Sequence, residues 1–444
     1  MMKFKPINEG CCIDNQLTDM SSIISILSSG YGRLHLAQSA DWLGKTGVNV
    51  KLVCGWVPKN PDGWLVRLCS KLVGRNLSAG MRKRSITLEN GGSVLSCAWV
   101  DFLCNAMFVL EGKLFHGRFH GEAAALAWKI FGWQSKRHIR KFRENGNVVF
   151  HVRSGAGHGG AIEFAKKLGI PVVVDHSIAH PAYMEKHLRP EYEKYGAIFD
   201  LGTSSPFWRL VAEDCEWADV LLVNSFFVRD TFIEQGYPAD KIKVAYLGTR
   251  PDFFELRKRQ AAEDGIFRLL FTGGFGFRKG AEYILEALKI LKEKAKYPFT
   301  MDVVGDYGSA KEIIAKYEQY NLPITFHGPI PQDDLKQYLS KSDIYVFPSL
   351  AEGCACSGME AMGAGLCVVA THEAGFPIED GINGCNVPGK NAEAVANRIL
   401  KLMASPAEID RMGKAAAELI RTKYTWEQYA ANVKNIYEEL LGYK

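Results

Sequence analysis

Apolar runs that could form buried strands alternate with amphipathic helical patterns along most of the chain, and this alternation constrains the fold more than any other feature. Strand-like runs at 22–27 and 48–53 enclose a helical pattern at 34–44, which predicts a βαβ unit. The alternation restarts at Phe267 and continues to Phe347. Repeated βα units favour parallel sheets covered by helices. We therefore predict an α/β fold of two Rossmann-like, doubly wound parallel-sheet domains.

Length and turn-forming residues indicate where the two domains divide. With 444 residues, 47% of them hydrophobic, the chain can form two full cores. Residues 249–252, Thr-Arg-Pro-Asp, precede a charged segment that predicts an interdomain connection. We place the first domain at 1–250, with an elaboration at about 55–145 where the alternation fades, and the second domain at 251–425. A C-terminal helix at 426–444 is expected to pack back on the first domain.

Charge is distributed unevenly along the chain. Residues 1–150 hold 20 Lys and Arg against 10 Asp and Glu, although the net charge of the whole chain is +5. Within them, the segments 64–84 and 128–141 combine Trp with Lys and Arg, a pattern typical of an anionic membrane surface, of an anionic acceptor or of a basic solvated face. No recognised nucleic-acid-binding module accompanies the charge, so we expect no nucleic-acid partner.

The sequence shows neither a signal-peptide pattern nor an uncharged apolar run of about 18 residues. Its eleven cysteines stand mostly singly in apolar contexts, as expected for reduced thiols. Cys354 and Cys356 are not matched by the second pair that a closed zinc site needs, and we expect no metal. We predict a cytoplasmic protein, with peripheral contact between its basic N-terminal segments and the inner face of the membrane as an alternative.

Two glycine loops follow strands of the first domain. The pattern Gly-x-Gly-x-x-Gly at 155–160, with Asp175 downstream, matches a dinucleotide fingerprint, so an NAD-dependent oxidoreductase stays an alternative. His158 within the turn argues against it, and tight turns alone would explain these glycines. The second loop, which contains Gly30 and Gly32, joins the first strand to the first helix, where backbone amides can receive an anion.

Two glutamates flank a predicted helix start in the second domain. A loop carries Glu352, and the helix is expected to begin near Ser357 and Gly358, with Glu360 in its first turn. The free amides and the dipole of the helix suit a diphosphate, while both carboxylates can accept hydrogen bonds from sugar or ribose hydroxyls. This pattern predicts a sugar-nucleotide site that includes Cys356 and the residues just named.

Two adjacent cations, Arg278 and Lys279, lie between the first strand and the first helix of the second domain. Cations at a helix start oppose the helix dipole, which favours a bound anion nearby. Fixed cations there can also neutralise the negative charge that grows on a departing diphosphate. We therefore expect both side chains to contribute to catalysis.

Taken together, these segments resemble the retaining glycosyltransferases of family 4, which have the GT-B architecture of two Rossmann-like domains facing across a cleft. The E-x7-E motif of that family corresponds to Glu352 and Glu360, followed by Ala-Met-Gly-Ala-Gly-Leu-Cys-Val-Val-Ala-Thr. The resemblance spans the chain except about 55–145. Further matches are Val223-Asn-Ser225, Val303-Val-Gly-Asp306, Phe326-His-Gly328 and Asp380-Gly-Ile-Asn-Gly384.

The resemblance implies that a sugar moves, with retention and without metal or other cofactor, from a UDP- or GDP-sugar to a glycan or lipid-linked acceptor. A sugar-nucleotide epimerase or hydrolase of the same fold is an alternative. Gly274 stands where the family usually has Arg, and Arg278 could supply that charge. The roles that the resemblance carries over are phosphate contact for Gly30 and Gly32, donor-sugar contact for His176, diphosphate contact for Lys279, base contact for the backbone near Gly305 and Gly328, sugar contact for Glu352, and ribose contact for Glu360.

Overall fold

In the part of the chain that the structure describes, the strands form two wholly parallel sheets, one of seven strands and one of six, and helices connect the strands. This arrangement confirms the predicted pair of α/β domains. The buried strands are almost continuously apolar, as is usual where helices cover a parallel sheet. The computed structural model describes residues 23–30, 35–73, 77–88, 92–116, 119–143 and 146–443.

The first sheet has the strand order β3-β2-β1-β4-β5-β6-β7. Its strands are β1 (Ile24–Ser28), β2 (Asn49–Cys54), β3 (Ser93–Ser96), β4 (Val148–Arg153), β5 (Val172–His176), β6 (Val220–Val223) and β7 (Ile242–Val244). The helices of this half are α1 (Leu36–Lys45), α2 (Trp64–Val73), α3 (Leu77–Arg84), α4 (Ala98–Phe115), α5 (His120–Phe142), α6 (Ala161–Lys167), α7 (Pro181–Glu193), α8 (Pro206–Trp217) and α9 (Phe226–Ile233).

The second sheet has the order β10-β9-β8-β11-β12-β13. Its strands are β8 (Phe267–Thr272), β9 (Phe299–Val304), β10 (Ile324–Gly328), β11 (Ile344–Phe347), β12 (Cys367–Thr371) and β13 (Cys385–Val387). The helices are α10 (Ala281–Lys294), α11 (Lys311–Tyr317), α12 (Gln332–Lys341), α13 (Cys356–Ala364), α14 (Ala392–Met403), α15 (Pro406–Lys423) and α16 (Trp426–Leu440).

Each sheet reverses its strand order once, between β1 and β4 in the first and between β8 and β11 in the second. Open parallel sheets bind ligands at such switch points, beyond the carboxyl ends of the strands. The loops that the sequence singled out follow these four strands.

The described residues of the elaboration at 55–145 contain α2 to α5 and the strand β3, which pairs in parallel with β2 and forms the edge of the first sheet. α4 and α5 contact each other and follow one another closely in the chain, so we call them the hairpin of α4 and α5. Both helices contribute to the first-domain core, through Val100, Cys104, Ala127 and Phe131. Among the described residues, no helix combines the length and apolar character needed to cross a bilayer.

The last helix, α16, packs on the first domain, where Trp426, Tyr429 and Tyr437 are at most 3% exposed. The Tyr437 hydroxyl lies 2.6 Å from Nδ1 of His151 on β4. The chain therefore crosses between the sheets twice, near 248–250 and again near 424–426. The crossings touch, since Thr249 N–H donates to the Tyr424 carbonyl at 2.9 Å. The division at residue 250 stays a proposal.

Candidate functional site

The loops after β8 and β11 bring Arg278, Lys279 and Glu352 together at the switch point of the second sheet. A guanidinium nitrogen of Arg278 lies 2.5 Å from Glu352 Oε2, and Lys279 Nζ lies 3.7 Å from the same oxygen. Backbone contacts fix the two loops, because the Leu350 N–H and the Ser349 hydroxyl both donate to the Arg278 carbonyl, at 2.8 and 3.1 Å. Residues that are 73 or more positions apart in sequence thus form one charged cluster.

The cluster holds two cations and one carboxylate. Burial alone would raise the pKa of Glu352, but Arg278 and Lys279 outweigh it and the pKa is lower than usual. Burial lowers the pKa of Lys279, against the opposing effect of Glu352. The Lys279 ammonium also lies 5.0 Å from the centre of the Phe347 ring. One positive charge is left in excess, which suits an anionic ligand.

The N-terminus of α13 adds backbone donors beside this cluster. Its N-cap residue, Ala355, offers no capping side chain, and within the described part of the chain no acceptor takes the N–H of Cys356 or Ser357. The Ser357 hydroxyl donates to the Thr272 carbonyl at 3.2 Å, which places the first turn of α13 against the end of β8. Two amides at a helix start are therefore available to an anion.

The expectation that Glu360 lies in the first turn of α13 is wrong. The chain is extended at Ala355 and becomes helical at Cys356, so the first turn holds no acid and Glu360 is the fifth residue of the helix. Gly358 lies inside the first turn, where a Cβ would come 1.9 Å from the Phe376 ring. Glycine is required there because an aromatic ring packs against the helix, and it does not mark the helix start.

Glu360 lines a cleft of about 130 Å³ between the two domains. Gln332 Nε2 donates to Glu360 Oε1 at 3.2 Å. Burial raises the pKa of Glu360 to about 7, although Gln332 and Arg250 act in the opposite direction. The other lining residues come from both halves of the chain: Gln38, Leu247, Gly248, Thr249, Cys354, Cys356, Met359 and Trp426.

Gly273, Gly305 and Gly328 stand at the carboxyl ends of β8, β9 and β10. Gly305 has a φ of +139°, and a Cβ there would lie 2.1 Å from the Gly273 carbonyl oxygen. Its N–H donates to the Gly328 carbonyl at 2.9 Å. Close backbone packing thus requires glycine at Gly305. Because these three residues have no side chains, backbone groups are left uncovered at this edge of the sheet.

The position of Gly274 has room for a side chain, since the nearest atom to an added Cβ is the Asp306 carbonyl oxygen at 4.0 Å. Arg278, which we expected to supply the missing positive charge, is already engaged. Its guanidinium pairs with Glu352 and also donates to the Ala351 carbonyl at 3.1 Å. The Arg278 charge is therefore directed at the loop after β11.

His176 ends β5 in the first domain and is 1% exposed. Its Nδ1 lies 2.9 Å from the Ser154 hydroxyl, and Nε2 has no hydrogen-bond partner in the described part of the chain. Burial, with the nearby Arg153, lowers the pKa of His176 to about 3, so the ring is neutral at pH 7. The adjacent Ser177 touches the second domain, because a Cβ on Gly353 would lie 2.0 Å from the Ser177 carbonyl oxygen.

Gly30 lies under the elaboration of the first domain. It has a φ of +74°, and a Cβ would lie 2.4 Å from the Trp128 ring on α5. Packing therefore accounts for glycine at this position, and its contact with phosphates stays a prediction. Gly32, the other predicted residue of this loop, lies outside the described residues.

Ser225 was not singled out as a site residue, yet it joins the two domains at the candidate site. Its hydroxyl donates to the Gly353 carbonyl and accepts from the Val228 N–H at 3.2 Å, at the start of α9. The sequence signal that could have identified Ser225 is the polar pair Asn224-Ser225 directly after a buried strand. Arg250 and Gln332, placed near Glu360 by folding, carried no such signal.

The glycine loop at 155–160 binds a side chain of its own domain. Asp214 Oδ2 accepts from the N–H groups of Gly155 and Gly157 at 2.7 and 2.8 Å. A Cβ on Gly159 would lie 2.1 Å from the Lys129 carbonyl oxygen on α5. The amides that a dinucleotide would use already donate to a buried carboxylate, and α5 packs on the loop. This geometry does not support the NAD alternative.

Comparison with known proteins identifies relatives of the second half of the chain. Residues 252–419 match the family described as glycosyl transferases group 1. The amylovoran biosynthesis glycosyltransferase AmsK of Erwinia amylovora is 30% identical over 232 residues, which cover 50% of this chain and 56% of AmsK. The chain spans about half the length of the curated relatives it matches.

Solved structures match nearly the whole fold. Sucrose-phosphate synthase from Thermosynechococcus elongatus superposes with a TM-score of 0.61 at 18% identity, over 95% of this chain and 100% of that one. Anabaena HepE in complex with UDP-glucose gives a TM-score of 0.59 at 15% identity, over 94% and 99%. The chain therefore has the GT-B fold of glycosyltransferases, and its second domain matches the group 1 glycosyl transferases.

Proposed function

We propose that this protein is a retaining glycosyltransferase of family 4 that transfers a sugar from a UDP- or GDP-sugar to a glycan or lipid-linked acceptor. The cluster of Glu352 with Arg278 and Lys279, beside the two unused amides of α13, carries the proposal. A carboxylate for sugar hydroxyls and a lysine for a diphosphate meet there, and Arg278 holds the carboxylate within the same ion-pair network. UDP-glucose bound to the similarly folded Anabaena HepE supports a nucleotide-sugar donor.

In this proposal the donor diphosphate binds Lys279 and the N–H groups at the start of α13. Glu352 accepts hydrogen bonds from the sugar, and Glu360 accepts them from the ribose across the interdomain cleft. The bare backbone near Gly305 and Gly328 contacts the base. Neutral His176 offers Nε2 to the donor sugar once a small movement exposes it.

The proposed reaction needs no protein nucleophile. The bond between the anomeric carbon and the diphosphate oxygen breaks while the acceptor oxygen attacks from the same face, and the acceptor proton passes to the departing phosphate. Negative charge grows on that phosphate, where Lys279 and the α13 amides stabilise it. Contact between Gly353 and Ser177 would close the cleft and limit attack by water.

Removal of either key side chain tests the assignment. Glu352→Gln and Lys279→Ala should each lower kcat/KM at least about 100-fold, because each removes a charge that acts on the transition state. Lys289→Ala, which changes a partly exposed lysine of α10 that pairs with Glu286 away from the site, is the matched control and should transfer sugar at the wild-type rate. Wild-type rates in both site variants would refute the site.

A thermal-shift screen against UDP-, GDP- and ADP-sugars, with NAD in the same plate, tests the donor class. Stabilisation by one sugar nucleotide that weakens in Glu360→Ala would support the proposal and name the base. Stabilisation by NAD alone would favour the oxidoreductase alternative. Consumption of the donor at the same rate with and without every acceptor offered would favour the epimerase or hydrolase.

A further inference from the structure

The hairpin of α4 and α5 exposes an unusual amount of apolar surface. Among the described residues, the exposed large apolar side chains are concentrated here instead of being scattered singly, as they usually are on a soluble protein. On α4 they follow helical spacing along one face. The exposed fractions on this face are 47% for Trp99, 60% for Phe102, 42% for Leu103, 56% for Leu110 and 65% for Leu114.

The acidic residues of α4 point the other way. Asp101 is 3% exposed and Glu111 is 7% exposed. Asp101 accepts from the Trp56 N–H at 3.0 Å and pairs with Arg84 at 3.1 Å, while Glu111 accepts from the Phe119 N–H at 2.9 Å. The inward face of α4 therefore consists of these two carboxylates with Val100 and Cys104, and the larger apolar face is left exposed.

The neighbouring face of α5 combines apolar and basic side chains. Leu126 and Trp133 are 51% and 55% exposed. Exposed Lys129 lies between them on the same helical face, and exposed Arg137 follows one turn after Trp133. Lys113 of α4 is also exposed, whereas Glu122 is the one exposed acid in the described parts of these two helices. The apolar face is therefore bordered by positive charge.

We propose that this surface, defined by the exposed apolar residues of α4 and α5 with Lys113 and Lys129, docks on an anionic lipid bilayer. Apolar side chains, tryptophans and bordering cations together are what an interfacial helix needs to bury one face among headgroups. A second copy of the chain fits less well, since a two-fold contact would place two copies of this positively charged border in one interface, where only Glu122 of the described parts of the two helices is an exposed acid that could pair with it. The inference rests on the surface alone and does not depend on the proposed sugar transfer.

The test is co-sedimentation of the full chain with vesicles of equal parts phosphatidylcholine and phosphatidylglycerol, and with vesicles of phosphatidylcholine alone. We expect binding to the anionic vesicles that falls at least about tenfold in the double variant Leu110→Glu, Leu114→Glu. Lys113→Gln with Lys129→Gln should also weaken binding about tenfold or more, on the anionic vesicles only. These side chains are exposed, so the variants should keep the wild-type unfolding temperature.

The matched control is Ile198→Glu with Ile382→Glu, which adds the same charge at exposed isoleucines outside the hairpin. It should bind vesicles like the wild type. Equal loss of binding in this control, or no binding by the wild-type chain, would overturn the proposal. Sedimentation equilibrium tests the alternative of a second copy. If the wild-type chain is a dimer that does not bind vesicles, and Leu110→Glu with Leu114→Glu converts it to a monomer, the face belongs to a second copy instead.

Discussion

Replacing Glu360 by Gln should stabilise the protein at alkaline pH and leave its stability at acid pH unchanged. Burial raises the pKa of this carboxyl from its usual 4.5 to about 7 in the folded chain. The folded state therefore holds the Glu360 proton more tightly than the unfolded state does. The stability linked to that proton is complete below about pH 4.5 and is lost as the pH rises through about 7.

The size of the effect follows from the shift. Each pKa unit corresponds to about 1.4 kcal/mol, so ionised Glu360 costs the folded state about 3 kcal/mol at pH 8. Glutamine carries no charge, and its carbonyl oxygen can still accept the hydrogen bond from Gln332 Nε2. The charges nearest to the carboxyl, on Arg250 and Asp252, remain in both proteins.

Urea unfolding of wild type and Glu360→Gln at pH 5 and pH 8 measures this difference directly. We expect the variant to be more stable than wild type by less than about 1 kcal/mol at pH 5 and by about 3 kcal/mol at pH 8. Exposed Glu408, paired with Arg411, provides the control, since Glu408→Gln should give no stabilisation at pH 8. If the free energy of unfolding depends on pH in the same way in wild type and in Glu360→Gln, Glu360 does not have a raised pKa in the folded protein. If Glu360 also binds the ribose, the stabilised variant should bind the donor more weakly.

Two further substitutions test how the domains are held together and how the glycine loop is built. Gly353→Ala places a methyl group against the Ser177 carbonyl oxygen, so the cleft between the domains cannot close. We expect sugar transfer to fall about 100-fold and small-angle scattering to show a more open molecule. Gly112→Ala, which meets no atom within 4 Å, should have neither effect. Asp214→Ala leaves the buried Gly155 and Gly157 amides unpaired and should cost about 3 to 5 kcal/mol in urea unfolding, whereas Glu213→Ala, 47% exposed, should cost less than about 1 kcal/mol. A small loss for Asp214→Ala would contradict the role given to its carboxylate.

The fold class could be predicted from the sequence because a parallel α/β fold produces local patterns that repeat along the chain. Buried strands read as apolar runs, and the predicted strand at 48–53 corresponds to Asn49–Cys54. Helix limits moved by a residue or two, as at α1, since ends depend on caps and on contacts made after folding. The start of α13 moved for the same reason, since the backbone changes from extended at Ala355 to helical at Cys356 without a side-chain cap that the sequence could reveal.

The contacts of the candidate site could be predicted only in part. Arg278, Lys279 and Glu352 could be singled out because charged residues next to glycine at strand ends are rarely needed by a core. That Arg278 would pair with Glu352 could not be predicted, since the pairing depends on β8 and β11 being neighbours in the sheet. Asp214 was missed for the opposite reason, because it lies in an ordinary amphipathic helix and only the fold brings it to Gly155.

The outward apolar face of α4 also escaped prediction. Hydrophobic periodicity normally marks the face of a helix that packs inward. Here Val100, Cys104 and two carboxylates face inward, and neither the Trp56 amide nor the Phe119 amide can be recognised as a partner of those carboxylates from the sequence.

The return of α16 to the first domain has a consequence for synthesis on the ribosome. The first sheet is complete when residue 244 has emerged, yet Trp426, Tyr429 and Tyr437 fill the core on one of its faces. That face stays open to water while nearly two hundred further residues are made, whereas the last described strand of the second sheet, β13, ends at residue 387. We expect the second domain to reach its native state first and the amino-terminal domain to mature last, so nascent chains arrested before α16 should be open to proteases mainly in their first half.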